Sequence, residues 1–375
     1  MSDARPTAEL RDLFLFLAEH DFAGYSPTYE RIARQMAASP ELLRFVDLAA
    51  QSNSRRGRVP VLFLAALHDL ALSEPDSALG RLLDGDPTVD VSSALEEAIA
   101  NGGEALITTM HTRSVQTNEV GRSAAIAAGL SSVDTGGRPV ALIELGPSAG
   151  LNLFVDRWHV DYLRDGTVVT SIGPADSPVR LQCELRGPDT PRLTDLPRIA
   201  IRTGVDPSPI DASDPVQARW LRACVWPDLP ERSERLAAAL RVVGAEPPPL
   251  VRGDAVTDLA PLVASIDPGF HPVVLSTWAM AYISAEGRAA VIAGLDAIGT
   301  ERDLSVLTLE EPRFTEHLGP TEPFVRRYFE EGDGTPTLLG LRDWRGGMVT
   351  STPLAMCHPH VRWMAWLGSE EVHGG

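Results

Sequence analysis

The chain has no lysine: every one of its 33 basic residues is an arginine. Base usage alone can produce such a composition, but the chemical consequence is firm. No lysine Schiff base can form, and no Walker-type lysine can reach a phosphate. Pyridoxal-phosphate enzymes anchored through lysine and P-loop ATPases are therefore excluded. Cysteine is scarce as well. Cys183, Cys224 and Cys357 are far apart, odd in number and form no Cys-x-x-Cys pair. That argues against a structural zinc site and for a reducing compartment. The net charge of −18 disfavours a general nucleic-acid-binding surface. The longest apolar run, Val59 to Leu72, contains His68 and Asp69 and is too short to span a bilayer. The N-terminal residues carry no signal-peptide pattern. A cytoplasmic protein with no membrane and no nucleic-acid partner is expected.

What is present divides in two. At 375 residues the chain suggests roughly two domains. Residues 8–37, Leu42–Ala50, Val59–Leu72 and Ser92–Asn101 show helical periodicity, with Gly102-Gly103 among the punctuating residues. A helical domain over residues 1–110 is expected. From Pro139 the pattern changes. Pro139–Leu145, Arg198–Gly204, Leu250–Gly253, Pro272–Thr277 and Leu304–Leu309 read as buried parallel strands. Helical stretches at Gly150–Arg157, Asp214–Cys224, Glu231–Val243, Ala255–Ala264 and Ala285–Gly299 alternate with them. Such alternation implies an α/β fold with a Rossmann-like, mostly parallel sheet over residues 111–375. Thr335–Arg342 and Met348–Thr352 suggest an antiparallel hairpin, and Val361–Leu367 a last strand. Residues 158–190 break the alternation. Asp165-Gly166 between alternating stretches is a hairpin signal, so an inserted β-flap is expected there.

Residues 141–152, Ala-Leu-Ile-Glu144-Leu-Gly146-Pro-Ser148-Ala-Gly150-Leu-Asn152, join an apolar run to a glycine turn. Glycines there let a ligand approach the backbone, and a following helix would aim its N-terminus at that ligand. Two chemistries share these letters. Gly146-Pro-Ser148-Ala-Gly150 matches the Gly-x-Ser-x-Gly elbow of serine hydrolases, with His271, His358 and His360 downstream as triad candidates. Pro147 is an awkward lead-in to such an elbow.

Glu144 to Gly150 also resembles the first motif of class I S-adenosylmethionine-dependent methyltransferases. Gly204-Val-Asp206-Pro-Ser-Pro209 resembles the end of that family's second strand, which implies that Asp206 meets the ribose hydroxyls. Arg252-Gly-Asp254-Ala255 resembles the end of its third strand, which implies an adenine contact. Ser276, in Val273-Val-Leu-Ser-Thr-Trp278, falls where the fourth strand would pass the methyl group. Asp206 lies about sixty positions after Gly146, where the resemblance to methyltransferases implies about twenty, as in other dinucleotide-type folds, and the flap accounts for the excess. The fourth-strand segment lacks the Asn/Asp-Pro-Pro-aromatic signature of amino-group methyltransferases, which favours an oxygen or another non-amide acceptor.

Over nearly all of residues 10–370 the chain resembles an uncharacterised bacterial family, domain of unknown function 2332. The residues behind the resemblance are Gln116-Thr-Asn-Glu-Val-Gly-Arg122, Glu144 to Asn152, and Val225-Trp-Pro-Asp228. It implies a methyltransferase-like core and brings no established activity.

The cofactor-binding candidates are Asn118, Arg122, Glu144, Gly146, Ser148, Gly150, Asp206, Asp254, Ala255 and Ser276. Glu119, His159, Tyr282 and Glu310 are the catalytic candidates, with Glu311 a further base. Around Gln116–Arg122 the plain reading is a helix start capped by Thr117 or Asn118 with an exposed arginine; the functional one has Arg122 holding the methionine carboxylate. Trp158, Trp226, Trp278 and Tyr282 are aromatic candidates beside the site. Cys357-His358-Pro-His360 invites a metal reading, yet no third ligand cluster supports it, and a solvated strand start is expected instead. The leading expectation is S-adenosylmethionine-dependent methyl transfer to a small molecule. A non-catalytic nucleotide- or metabolite-binding module and a serine hydrolase using Ser148 stay open, and a homodimer is compatible with each.

Overall fold

A computed structural model describes residues 4–51, 58–193, 195–319 and 336–367. The helices are α1 (Ala4–Phe16), α2 (Pro27–Ala38), α3 (Pro40–Ala49), α4 (Val59–Ser73), α5 (Ala78–Leu83), α6 (Val91–Thr112), α7 (Ser123–Leu130), α8 (Pro215–Ala223), α9 (Pro230–Ala245), α10 (Ala255–Ala264) and α11 (Ala285–Gly299). The strands are β1 (Val140–Leu145), β2 (His159–Arg164), β3 (Thr167–Ile172), β4 (Arg180–Arg186), β5 (Ile199–Asp206), β6 (Leu250–Arg252), β7 (His271–Thr277), β8 (Leu304–Glu310), β9 (Thr337–Arg345), β10 (Met348–Cys357) and β11 (Trp363–Trp366). Among the described residues no helix is long and apolar enough to cross a membrane.

The chain forms two compact units, Met1–Thr117 with Asp214–Ala237, and Asn118–Ser213 with Ala238–Gly375. The division thus falls after Thr117 rather than after 110, and the first unit takes back a later segment. Packing explains why. Arg219 on α8 pairs with Asp69 on α4 at 2.8 Å, and His68 Nδ1 lies 3.1 Å from the Ala223 carbonyl. Asp228 accepts hydrogen bonds from Thr28 N (3.1 Å) and Thr28 Oγ1 (2.8 Å). Trp226 packs edge-on against Phe22 and Tyr25. The Val225-Trp-Pro-Asp228 motif is therefore a structural clasp of the helical unit, and Trp226 is core there rather than a site aromatic.

Within that unit the caps are those the sequence offers. Ser39, Ser77 and Asp90 accept the first free N–H groups of α3, α5 and α6. Gly102-Gly103 does not end a helix as expected, because α6 runs through it. A Cβ at Gly102 would stand 2.7 Å from the Leu70 side chain, so the glycine admits α4 against α6.

The second unit holds an eleven-stranded sheet in the order β3-β2-β4-β11-β10-β9-β8-β7-β1-β5-β6. The strands β6, β5, β1, β7 and β8 are parallel neighbours. In chain order they run 3-2-1-4-5, the arrangement of a doubly wound sheet whose direction of winding reverses between β1 and β7. Each residue of β1, β7 and β8 is buried, as strands covered on both faces require. β9, β10 and β11 continue the sheet antiparallel. The β9–β10 turn uses Gly346 and Gly347 at positive φ. Thr335, the first residue of the expected hairpin, lies outside the described residues.

The expected β-flap is corrected. Its strands β2, β3 and β4 do form, and the β2–β3 turn has Asp165 and Gly166 both left-handed, as a two-residue hairpin needs. They do not stand apart, however. β4 pairs in parallel with β11 and carries β2 and β3 into the same sheet. The sequence shows the hairpin but not the strand whose unpaired N–H and C=O groups receive it. α7, every residue of it buried, packs against β4, β8 and β9.

Gly150–Arg157 is a second correction. It is a 3-10 segment, Leu151–Arg157, interrupted at Phe154, and not an α-helix. Leu151 to Val155 are all buried, and Phe154 leaves helical geometry at φ −101° and ψ 22°, which breaks the run.

Candidate functional site

The site lies where β1, β5, β7 and β8 end. Beyond Leu145 the backbone turns through Gly146 (φ 68°), Ser148 (φ 54°) and Gly150 (φ 74°). Three backbone hydrogen bonds and one carboxylate hold this loop. Gly146 N donates to Val205 O (2.9 Å), Gly150 N to Pro147 O (2.7 Å) and Ile210 N to Ser148 O (2.9 Å). Ser148 N donates to Asp206 Oδ2 at 2.9 Å, and Ser208 N to Asp206 Oδ1 at 2.7 Å. Both Asp206 oxygens thus clamp the chain's own backbone. A Cβ at Gly150 would sit 2.9 Å from Pro248, and one at Gly146 would sit 3.2 Å from Ala279. The glycines serve the left-handed turn and contacts within the protein. Since no α-helix follows, the expected helix-dipole contribution to ligand binding falls away.

Behind the loop lies a buried polar cluster. Glu144, 1% exposed, accepts from Asn152 Nδ2 (3.2 Å) and Thr277 Oγ1 (3.3 Å) through Oε1, while its buried Oε2 meets no protein donor. Burial pushes its carboxyl up to about 7; these two hydrogen bonds and the charge of Arg122 counter the rise in part. Arg122 is 5% exposed, not the surface arginine of the plain reading, and its Nη1 donates to Thr277 O at 3.3 Å. The guanidinium stands 5.6 Å from the centroid of the Trp278 ring. On β8, Glu310 Oε1 accepts from Ser276 Oγ (2.7 Å), Ala279 N (2.8 Å) and Met280 N (3.1 Å). Burial raises its carboxyl as well. Glu310 and Ser276 thereby fix the turn after β7, a positioning role.

Backbone strain gathers at the same place. The non-glycine residues at positive φ among those described are Ser148, Asp165, Trp278 and Val361. Asp165 belongs to a hairpin turn. The other three border this site, and for a tryptophan or a valine the left-handed region is a costly conformation, about 1–3 kcal/mol. Val361 follows His360, whose Nδ1 lies 3.4 Å from Glu119 Oε2.

Several expected residues meet here. Asn118 Nδ2 donates to Pro147 O (3.3 Å), tying the 116–122 segment to the glycine loop. Glu119, not Thr117 or Asn118, caps the 3-10 turn Val120–Arg122 by accepting from Gly121 N (2.9 Å). Others are engaged in the structure in plainer ways. His159 begins β2 and pairs with Asp161 at 3.0 Å, the two side chains sharing one face of the strand. Tyr282 is 53% exposed. Trp158 is core, its Nε1 donating to Leu151 O. Asp254 caps α10 through Val256 N, with Ala255 the first residue of that helix. Asn152 and Thr277 were missed as site residues. Polar side chains inside apolar runs were their signal.

Cys357–His360 is not a solvated strand start. His358 is buried and its Nδ1 accepts from His360 N (2.9 Å). Among the described residues no group of three or more His, Cys, Asp or Glu is placed to hold a metal ion. The triad candidates are engaged away from Ser148: His271 lies between Ser305 Oγ (2.8 Å) and Arg138 (3.2 Å), and His360 faces Glu119.

A family model described as an uncharacterized protein conserved in bacteria (DUF2332) matches residues 11–366. No curated protein matches the chain. The chain belongs to the DUF2332 family.

Proposed function

We propose that this family member binds S-adenosylmethionine at the carboxyl ends of β1, β5 and β7 and transfers its methyl group to a small molecule through oxygen or another non-amide nucleophile. The observation that carries the reading is the buried Glu144–Arg122 pair, with half-buried Trp278 beside it, at the point where the sheet's winding reverses, which is where doubly wound folds take their ligands. The donor set fits a zwitterionic amino-acid end. Arg122, held over the Trp278 ring, offers a guanidinium to a carboxylate, and Glu144 Oε2 offers a buried acceptor to an ammonium. When bound, the cofactor supplies an electrophilic methyl group. The protein's part is to position the acceptor in line and keep water away.

Asp206 enters this reading differently from the sequence expectation. Its two oxygens already accept backbone N–H groups, so it shapes the loop and reaches a ribose only through its remaining lone pairs. Isothermal titration with S-adenosylmethionine and S-adenosylhomocysteine tests the proposal. Binding by either in the micromolar range supports it; no heat from either at high micromolar concentration overturns it.

A second reading, ligand binding without turnover, draws on one specific observation. Two of the four expected catalytic side chains are otherwise engaged: His159 pairs with Asp161 on β2, and Glu310 holds the turn after β7. Cofactor binding with no methyl transfer to any hydroxylated or thiol probe would favour it.

A further inference from the structure

We propose that Glu144 selects the ligand for a positively charged amino group and releases a proton when that group arrives, so that the site exchanges one cation for another. This deepens the methyl-transfer reading above and rests on it. The Glu144 carboxyl is held unevenly. Oε1 accepts from Asn152 Nδ2 at 3.2 Å and from Thr277 Oγ1 at 3.3 Å. Oε2 is buried and meets no donor. Both donors are fixed from behind. Ser123 Oγ donates to Asn152 Oδ1 at 3.2 Å, which turns the amide so that its NH2 faces Glu144. Thr277 stands on β7, whose Leu275 lies directly opposite Glu144. A buried carboxylate with one oxygen unsatisfied is costly, and a proton or a ligand cation relieves the cost.

Two charges act on the carboxyl. Arg122, on the turn before α7, favours its ionised form, and Asp206, at the end of β5, opposes it. Burial outweighs Arg122 and leaves the group at about 7. The other ionisable groups on elements packed against β1 are engaged or distant. His271 of β7 lies opposite Val140, at the far end of the strand. Arg202 of β5 pairs with Asp156 of the 3-10 segment at 2.6 Å, and Arg157 of that segment pairs with Glu246 at 3.3 Å. Asp258 of α10 accepts from Asp254 N at 2.8 Å. Near neutrality the free site is thus part carboxylic acid. A ligand ammonium at Oε2 supplies what the carboxylate lacks, N–H donors and a positive charge. The step balances simply. The O–H bond of the acid breaks, its proton passes to water, and the ammonium keeps its own protons and its charge. A ligand without the amino group leaves the carboxyl protonated.

Calorimetry on the full chain with S-adenosylhomocysteine, run in phosphate and in imidazole, counts the proton, because the two buffers differ in heat of ionisation. Release should be close to one proton per ligand at pH 6 and about half at pH 7, and affinity should be about tenfold higher at pH 8 than at pH 6, since only the ionised fraction takes the ammonium. Methylthioadenosine, which lacks the amino-acid end, should release none. Glu144→Gln should release none with either ligand and lose the pH dependence. Binding of S-adenosylhomocysteine without proton release, or release that persists in Glu144→Gln, overturns the exchange and leaves the methyl-transfer reading standing. No binding by the wild type overturns both. Should Glu144→Gln not fold, carbon NMR of the wild-type glutamate carboxyls takes its place. The carboxyl that titrates at about 7 in the free chain should lose that midpoint on saturation with S-adenosylhomocysteine, and an unchanged midpoint overturns the exchange.

Discussion

The backbone N–H of Ser148 donates to the carboxylate of Asp206 at 2.9 Å, joining the loop after β1 to the end of β5. Ser148 holds a left-handed φ of 54°, and Asp206 is the group that keeps it there while also holding Ser208 N. Asp206→Ala removes a charged acceptor from two backbone donors. The expected cost is on the order of 1–3 kcal/mol in folding stability, read by urea denaturation, with a parallel loss of cofactor affinity. Stability and affinity both unchanged would mean that the loop is held by other contacts.

Ser148 also separates two chemistries. As a loop residue clamped through its backbone, it should resist a fluorophosphonate probe, and Ser148→Ala should keep S-adenosylhomocysteine affinity within a few fold. Stoichiometric labelling of Ser148, found by peptide mass spectrometry, would restore the hydrolase reading.

Glu144 gives a pH signature with a definite sign. Its carboxyl is raised from 4.5 to about 7 by burial, so the folded state holds a proton that the unfolded state has released. Its contribution is fully present below pH 4.5 and is lost as pH rises through 7. Glu144→Gln keeps an acceptor for Asn152 and Thr277 and removes the ionisation. The variant should be more stable than wild type at pH 8, by about 1–3 kcal/mol, and the gap should close by pH 5. Thermal melts at the two pH values check this. A constant gap would contradict it.

Three histidines act in the opposite direction. Burial lowers His68, His271 and His317 from 6.5 to about 4. Each favours the fold while neutral, so its contribution is present above pH 6.5 and is lost as pH falls toward 4. His271 shows why. Arg138, which can only donate, faces its Nδ1 at 3.2 Å, so neutral His271 donates from Nε2 to Ser305 Oγ, which in turn donates to Asp343. A second proton on Nδ1 would meet the guanidinium. His271→Asn should therefore flatten the acid limb between pH 6.5 and 4; an unaltered limb would assign the acid loss to other groups.

Much of the second unit was legible because its strands announce themselves. β1 is an apolar run that ends at a glycine turn, β5, β7 and β8 end in polar residues at turns, and α10 and α11 carry caps at Asp254 and Ser284. Glu144 and Arg122 were legible as types beside a glycine loop. Their meeting with Thr277 and Trp278 was not, since parallel strands β1 and β7 bring together residues about 130 positions apart. The approach of His360 to Glu119 was not legible for the same reason: the two are far apart in the chain.

By itself the sequence determined what the chain cannot do with lysine, where its strands and most of its helices run, and that the strands end at turns. Those are local matters of residue type, period and cap. Only the tertiary structure decided that the hairpin after the glycine loop joins the main sheet, that residues 214–237 return to the helical unit, and that Asp206 clamps a loop. It also decided that Glu144 is buried deeply enough to sit near neutrality. Burial, register and the pairing of distant strand edges are properties of the folded chain as a whole, and no single segment specifies them.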